Sequence, residues 1–320
     1  MRKMTRFTVT VAAFAIAGGV ALADATVEQK TQAHFGGAIG GIINVFGGKA
    51  THEGLTSTTV IKGDRKLTRS GDSGEIIDLG AEKIYRVDFA RKTYKVVTFD
   101  ELRKQFEEQK SRSEKSDEKS AEKNKGPEYE VDFDIRDTGA KETINGYNTH
   151  QVVATATVHE KGKTLAQSGG SVLTADMWMG PHVAAMREIS DFDQRYYAKL
   201  YGPLFGAAEM QQMAVLMATN PTFAKAMKAF SQKRSSMEGT AIRTNLSFET
   251  VAGKDQPADE DSGSASPLGG LMRRMQQRRQ EKNGEDPARS RLFDSTVELL
   301  KATGAANGSD VTVPAGFTQR

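Results

Sequence analysis

Residues Gly63 to Phe99 read GDRKLTRSGDSGEIIDLGAEKIYRVDFARKTYKVVTF, and this stretch decides the fold class. Tyr85, Val87 and Phe89 fall on one face of an extended segment, and Arg86 and Asp88 on the other. Ala90-Arg91-Lys92 turns the chain. Tyr94 and Val96 then continue the apolar face opposite Lys95. Successive strand side chains point to opposite sides, so this alternation predicts an antiparallel sheet with one buried face and one wet face. Ser70-Gly71-Asp72 and Leu79-Gly80 supply the turns between the earlier strands.

Upstream, Thr26 to Phe35 and the β-branched run Thr56 to Ile61 read as strands leading into this meander. Between them lies GGAIGGIINVFGG, Gly36 to Gly48. It is a short apolar helix or loop capping the sheet, or a flap facing a membrane or ligand, and it is far too short to cross a bilayer. At the start of the chain, Arg2, Lys3 and Arg6 precede an apolar run from Phe7 to Val20 and an Ala21-Leu22-Ala23 site. That is the pattern of a secretory signal peptide spanning residues 1–23. It predicts export to a periplasm with cleavage after Ala23, and no transmembrane segment after cleavage.

Composition narrows the function classes. The chain has 320 residues, 44 Lys and Arg against 41 Asp and Glu, and no cysteine. The predicted leader holds three of the bases and no acids, so the remainder is formally neutral. The charge balance gives no support to nucleic-acid binding. Without cysteine there is no disulfide, thiolate metal site, Cys nucleophile or acylated lipoprotein terminus.

Downstream, Asp100 to Lys125 is a charged insertion with eight acids and eight bases. Leu102 and Phe106 should dock a first helical portion on the sheet. The rest reads as a solvated helix or a disordered loop. Strands resume at Tyr129. Val131, Phe133 and Ile135 alternate with Asp132, Asp134 and Arg136. Asn145-Gly146 marks a tight turn, and Val152, Ala154, Ala156 and Val158 line one face of the next strand. Ser171 to Met179 is a further strand holding Trp178. The character then changes over residues 182–234. His182 to Tyr201 and Leu204 to Ala218 read as helices. Asn220-Pro221 opens another helix with Phe223, Met227 and Phe230 on one stripe. Thr240 to Val251 returns to strand, with Ile242, Leu246 and Phe248 on one face. Residues 252–267 form a polar linker, and Leu268 to Gln280 a small basic amphipathic helix. Phe293 to Ala302 and Val311 to Phe317 read as closing strands. Strands with a few inserted helices predict an α+β fold, built as a single domain over 24–320 on one large curled antiparallel sheet.

The order of short motifs carries a resemblance. TSTTVIKGDRKLT is followed by GEIIDLGAEKIYRVDFARKTY, then INGYNTHQVV, a MWMG strand and a closing VPAGF. This resembles periplasmic proteins of the LolA-like superfamily, which includes lipoprotein carriers and envelope-stress sensors. The resemblance implies an unclosed β-barrel around an apolar face, with helical insertions as a lid. It also implies a lipid, acyl chain, lipoprotein or envelope protein as partner. The long charged insertion and the Met-rich helices depart from the carriers.

The residues themselves point to binding rather than catalysis. The five histidines show no HExxH or HxH spacing, and His34, His52, His150 and His159, in or beside predicted strands, read as exposed; no GxSxG, Walker or GxGxxG motif occurs, so neither a reaction nor a metal or cofactor is predicted. Asp132 and Asp134 lack the EF-hand pattern and are explained by strand alternation. Met213, Leu216, Met217, Phe223, Met227 and Phe230 remain as candidate ligand-binding residues. Polarizable methionines suit an adaptable apolar wall, although the same stripe also suits plain core.

Overall fold

The structure is a computed structural model that describes residues 24–35, 54–120, 128–204, 228–229, 231–254 and 289–320. They form one sheet of twelve strands in the order β12-β6-β5-β4-β3-β2-β1-β11-β10-β9-β8-β7. In chain order these are β1 (Ala25–Phe35), β2 (Leu55–Lys62), β3 (Arg65–Ser70), β4 (Ser73–Asp78), β5 (Lys83–Asp88) and β6 (Thr93–Thr98), then β7 (Tyr129–Ile144), β8 (Tyr147–Glu160), β9 (Gly170–Gly180), β10 (Thr240–Val251), β11 (Arg289–Thr303) and β12 (Thr318–Gln319). The terminal strands β12 and β7 do not pair, so the sheet is open. The expected wholly antiparallel sheet needs one correction, because β12 joins β6 in parallel.

Local chemistry explains the boundaries. Asn145 and Gly146 take φ of 49° and 82°, so the predicted Asn-Gly turn joins β7 to β8. Helix α1 (Phe99–Ser120) opens with a reciprocal cap. The Glu101 amide donates to Thr98 Oγ1 at 3.2 Å, and the Glu101 carboxylate accepts from the Thr98 amide at 2.8 Å. That backbone bond holds the Glu101 carboxyl below the usual carboxylate range. The charged insertion is therefore helical to Ser120. Leu102 packs into the core as expected, but Phe106 meets Tyr201 edge-on at 5.8 Å instead of the sheet. A single turn, α2 (Leu165–Ser168), precedes β9, and α3 (Ala184–Tyr201) follows it, matching the helix read from His182.

The meander is buried on both faces, where alternation predicted one wet face. Ile61, Ile77 and Ile84 join a core with Ala25, Val27, Leu299, Phe99 and the α3 residues Ala185, Phe192 and Leu200. Their neighbours Val60 and Ile76, with Leu67 and Val87, form a second cluster on the opposite side. The cover of that second face is the chain after β11: Ala306, Val311, Val313 and Phe317. This segment corrects the predicted closing strand Val311 to Phe317. Val311 ends a 3-10 turn (Gly308–Val311), and only Thr318 and Gln319 are strand. Asn307 and Asp310 cap that turn reciprocally, and Pro314 has no N–H to give a ladder.

On the first face, α3 is anchored by charge as well as packing. Lys66 pairs with Asp193 and lies 5.3 Å above the Phe192 ring, and Arg195 lies at the same distance. Arg103 of α1 donates to the carbonyls of Lys199 and Leu200 at 2.7 and 3.0 Å, tying off the end of α3. Burial beside Phe99 pushes the Tyr196 phenol up to about 12.

Candidate ligand-binding face

Beyond α3, the sheet from β1 through β11, β10, β9 and β8 to β7 has two contrasting faces. The register places Phe35 opposite Phe293, Phe293 opposite Phe248, Phe248 opposite Leu173, Leu173 opposite Ala156 and Ala156 opposite Phe133. One apolar row thus crosses six strands. The Phe35 and Phe293 rings sit 5.1 Å apart, and Leu173 keeps 41% of its surface exposed. Phe35, Phe133, Phe248 and Phe293 are half-buried. The next row is Ala33, Ser295, Leu246, Ala175, Ala154 and Ile135, also largely apolar.

At one end this face is closed. Ile135, Val152 and Met179 form a buried cluster with Ala154 and Met177, covered by Ala229, Met237 and Ala241. The Ser236 carbonyl lies 2.9 Å from His150 Nε2, which pins the segment entering β10 over this cluster. Five of the predicted binding residues, Met213, Leu216, Met217, Phe223 and Met227, lie outside the described residues, as does the sixth, Phe230. Ala229, between the last two, is described and packs on this face.

The opposite face is polar and internally paired. Gln151 donates to Asp176 at 2.9 Å, and Thr296 to Asn245 at 2.9 Å. Arg289 and Arg291 pair with Glu249, each at 3.2 Å, and His34 with Asp294 at 3.1 Å. Arg243 binds Glu142 at 2.7 Å and stacks 5.2 Å from Trp178. Among the described residues no buried polar side chain lacks a partner. Satisfied pairs of this kind hold a solvated surface together.

Two sequence expectations change here. Ile242 was grouped with Leu246 and Phe248, but the bulge between Ala241 and Arg243 throws it toward Gly180 and into the α3 core. The strand histidines were expected to be exposed, yet His159 is only 8% exposed. Its Nε2 lies 2.8 Å from Asp132, and this hydrogen bond raises the imidazole pKa. Among the described residues no three His, Cys, Asp or Glu side chains converge as a metal site would need, and no helix is long and apolar enough to cross a membrane. Compared with models of known protein families and with curated proteins, the chain matches none.

Proposed function

We propose that this chain is an exported, non-enzymatic binding or carrier protein for a lipophilic ligand, such as an acyl chain, a lipid or a lipoprotein. The observation that carries the reading is the six-strand apolar row from Phe35 to Phe133, partly exposed on one face while the other face is polar and paired. A solvated sheet puts polar side chains on its wet face. Half-exposed phenylalanines in register therefore call for something apolar against them. The stretches that follow Phe35 and precede Ala229 in the sequence carry the apolar residues read as a flap and a lid. Burying a methylene gains about 0.8 kcal/mol, so ten of them gain roughly 8 kcal/mol before ordering costs. That scale suits reversible binding. Export rests on the leader pattern at residues 1–23, and β1 starts at Ala25, just beyond it.

The test is a fluorescent fatty-acyl probe titrated against the chain lacking residues 1–23 and against Phe248→Asp and Leu173→Asp. Met213→Asp and Phe223→Asp serve as the lid counterparts. Each variant is first checked for retained fold by circular dichroism. The wild type should bind saturably, and the face variants should weaken binding at least tenfold. Absence of probe binding, or equal binding by folded variants, would leave the same face to a protein partner, in the manner of an envelope sensor.

A further inference from the structure

We propose a second binding site, for a phosphate-bearing small molecule or headgroup, in the cleft over the α3-side face of β3–β6. The cleft has a volume of about 700 Å³ and lies beside the end of the sheet where β12 joins β6. Its floor is a cross-strand row: Thr68 opposite Glu75, Glu75 opposite Arg86, and Arg86 opposite Lys95. The adjoining row is Ser70, Ser73, Asp88 and Thr93, and Arg91 and Arg320 stand at the rim.

The charge arrangement is what points to an anion. Directly opposed like charges on neighbouring strands destabilise a sheet, and Arg86 and Lys95 are such a pair. The nearby acids compensate only part of the positive charge. Asp193 holds Lys66, and Asp88 holds Arg91 at 3.3 Å. Glu75 forms an ion pair with Arg86 at 3.7 Å, longer than a hydrogen bond, and Arg86 keeps 59% of its side chain exposed. The side chains of Lys95 and Arg320 pair with no carboxylate among the described residues. A cleft whose cations outnumber its acids, with hydroxyl groups beside them, is matched by a phosphate monoester, which carries close to two negative charges at neutral pH and accepts several hydrogen bonds. The planar guanidinium of Arg86 and the point charge of Lys95 would grip it from adjacent strands. Glu75, opposite Arg86 on the next strand, offsets part of this repulsion, while Lys95 has no such acid among the described residues.

The experiment titrates inorganic phosphate and phenyl phosphate against the folded chain, reading amide shifts of residues 93–95 and the melting temperature. A parallel arm sediments the protein with phosphatidic acid vesicles or phosphatidylcholine vesicles. Saturable binding of phenyl phosphate, weakened about tenfold by Arg86→Gln and by Lys95→Gln but not by Lys301→Gln, supports the site and assigns it to soluble phosphate esters. Selective sedimentation with phosphatidic acid, lost in the same variants, supports it and assigns it to headgroups. Without ligand, Lys95→Gln should melt no lower than the wild type, because it relieves the repulsion. A general loss of stability in that variant would make Lys95 a structural residue and overturn the proposal. So would no saturable binding of either phosphate up to tens of millimolar together with no vesicle preference. Equal loss in Lys301→Gln, or equal binding of a polyglutamate peptide, would reduce the effect to non-specific charge and overturn it too. None of these readouts depends on acyl-probe binding, so the two sites stand or fall separately.

Discussion

Replacing Val311 tests whether the chain after β11 is core to the meander. Val311 is 2% exposed and sits among Val60, Leu67, Ile76 and Val87, none more than 8% exposed. Val311→Ala removes two methyl groups from this cluster. At about 0.8 kcal/mol per group plus a small cavity term, the loss should be roughly 2 kcal/mol. Val311→Asp goes further, because the cluster offers a carboxylate no partner and the segment must lift to hydrate it. Lifting exposes Val313, Phe317 and the second face of β2–β5, so the loss should reach about 4 kcal/mol or more, a size reserved for disrupted cores. Val313→Asp, at a half-buried position, should fall between the two. Urea unfolding followed by circular dichroism gives the three values, and a hydrophobic dye reports the exposed face. If Val311→Asp loses under about 1 kcal/mol with no added dye binding, the segment is not core and two-sided burial of the meander is wrong.

Two other perturbations follow from the geometry. Arg103→Ala should lower stability by about 2 kcal/mol, because it removes charged donors from the last carbonyls of α3 and unties α1 from α3. A loss within about 0.5 kcal/mol in urea unfolding would make these contacts incidental. The Asp132 hydrogen bond raises the His159 pKa above its ordinary 6.5. The stability it contributes should be fully present below about pH 6.5 and should fade as pH rises through the higher folded value. A histidine NMR titration checks this: Asp132→Asn should bring the pKa down, and an unchanged value would sink the argument.

The elements were largely legible because their signals are local. Alternation and turn residues placed β5, β6 and β10, and the change of character after the Trp178 strand placed α3. Two-sided burial of the meander also had a signal, in the adjacent apolar pairs Val60-Ile61 and Ile76-Ile77. A strand with one wet face does not place two branched apolar residues side by side. The segment from Asn307 onward misled because Val311-Thr312-Val313 looks like a strand. Its backbone is instead committed to the Asn307–Asp310 cap and interrupted by Pro314. Ile242 misled because a bulge shifts a side chain across the sheet without changing composition. The apolar row was out of reach for a different reason. Phe35 and Phe293 are brought together by strand register across most of the chain, and register is a non-local property.

That row also bears on whether the helical insertion is core or pocket wall. The described part of the insertion, α3, is plainly core: Phe192 is fully buried, Leu200 nearly so, and two cations close over the ring. Nothing lipophilic can enter there without displacing it. Most of the α3 contacts fall on β1, β2 and β11, and the core that α3 joins does not include Phe248 or Leu173. Among the described residues the broad apolar face apart from the α3 core is the one that Ala229 and Met237 close at its end. If the Met213–Phe230 stripe lines the proposed site, Phe248→Asp and Phe223→Asp should weaken acyl-probe binding together. Loss in Phe223→Asp alone would move the ligand off the sheet and onto the helices themselves.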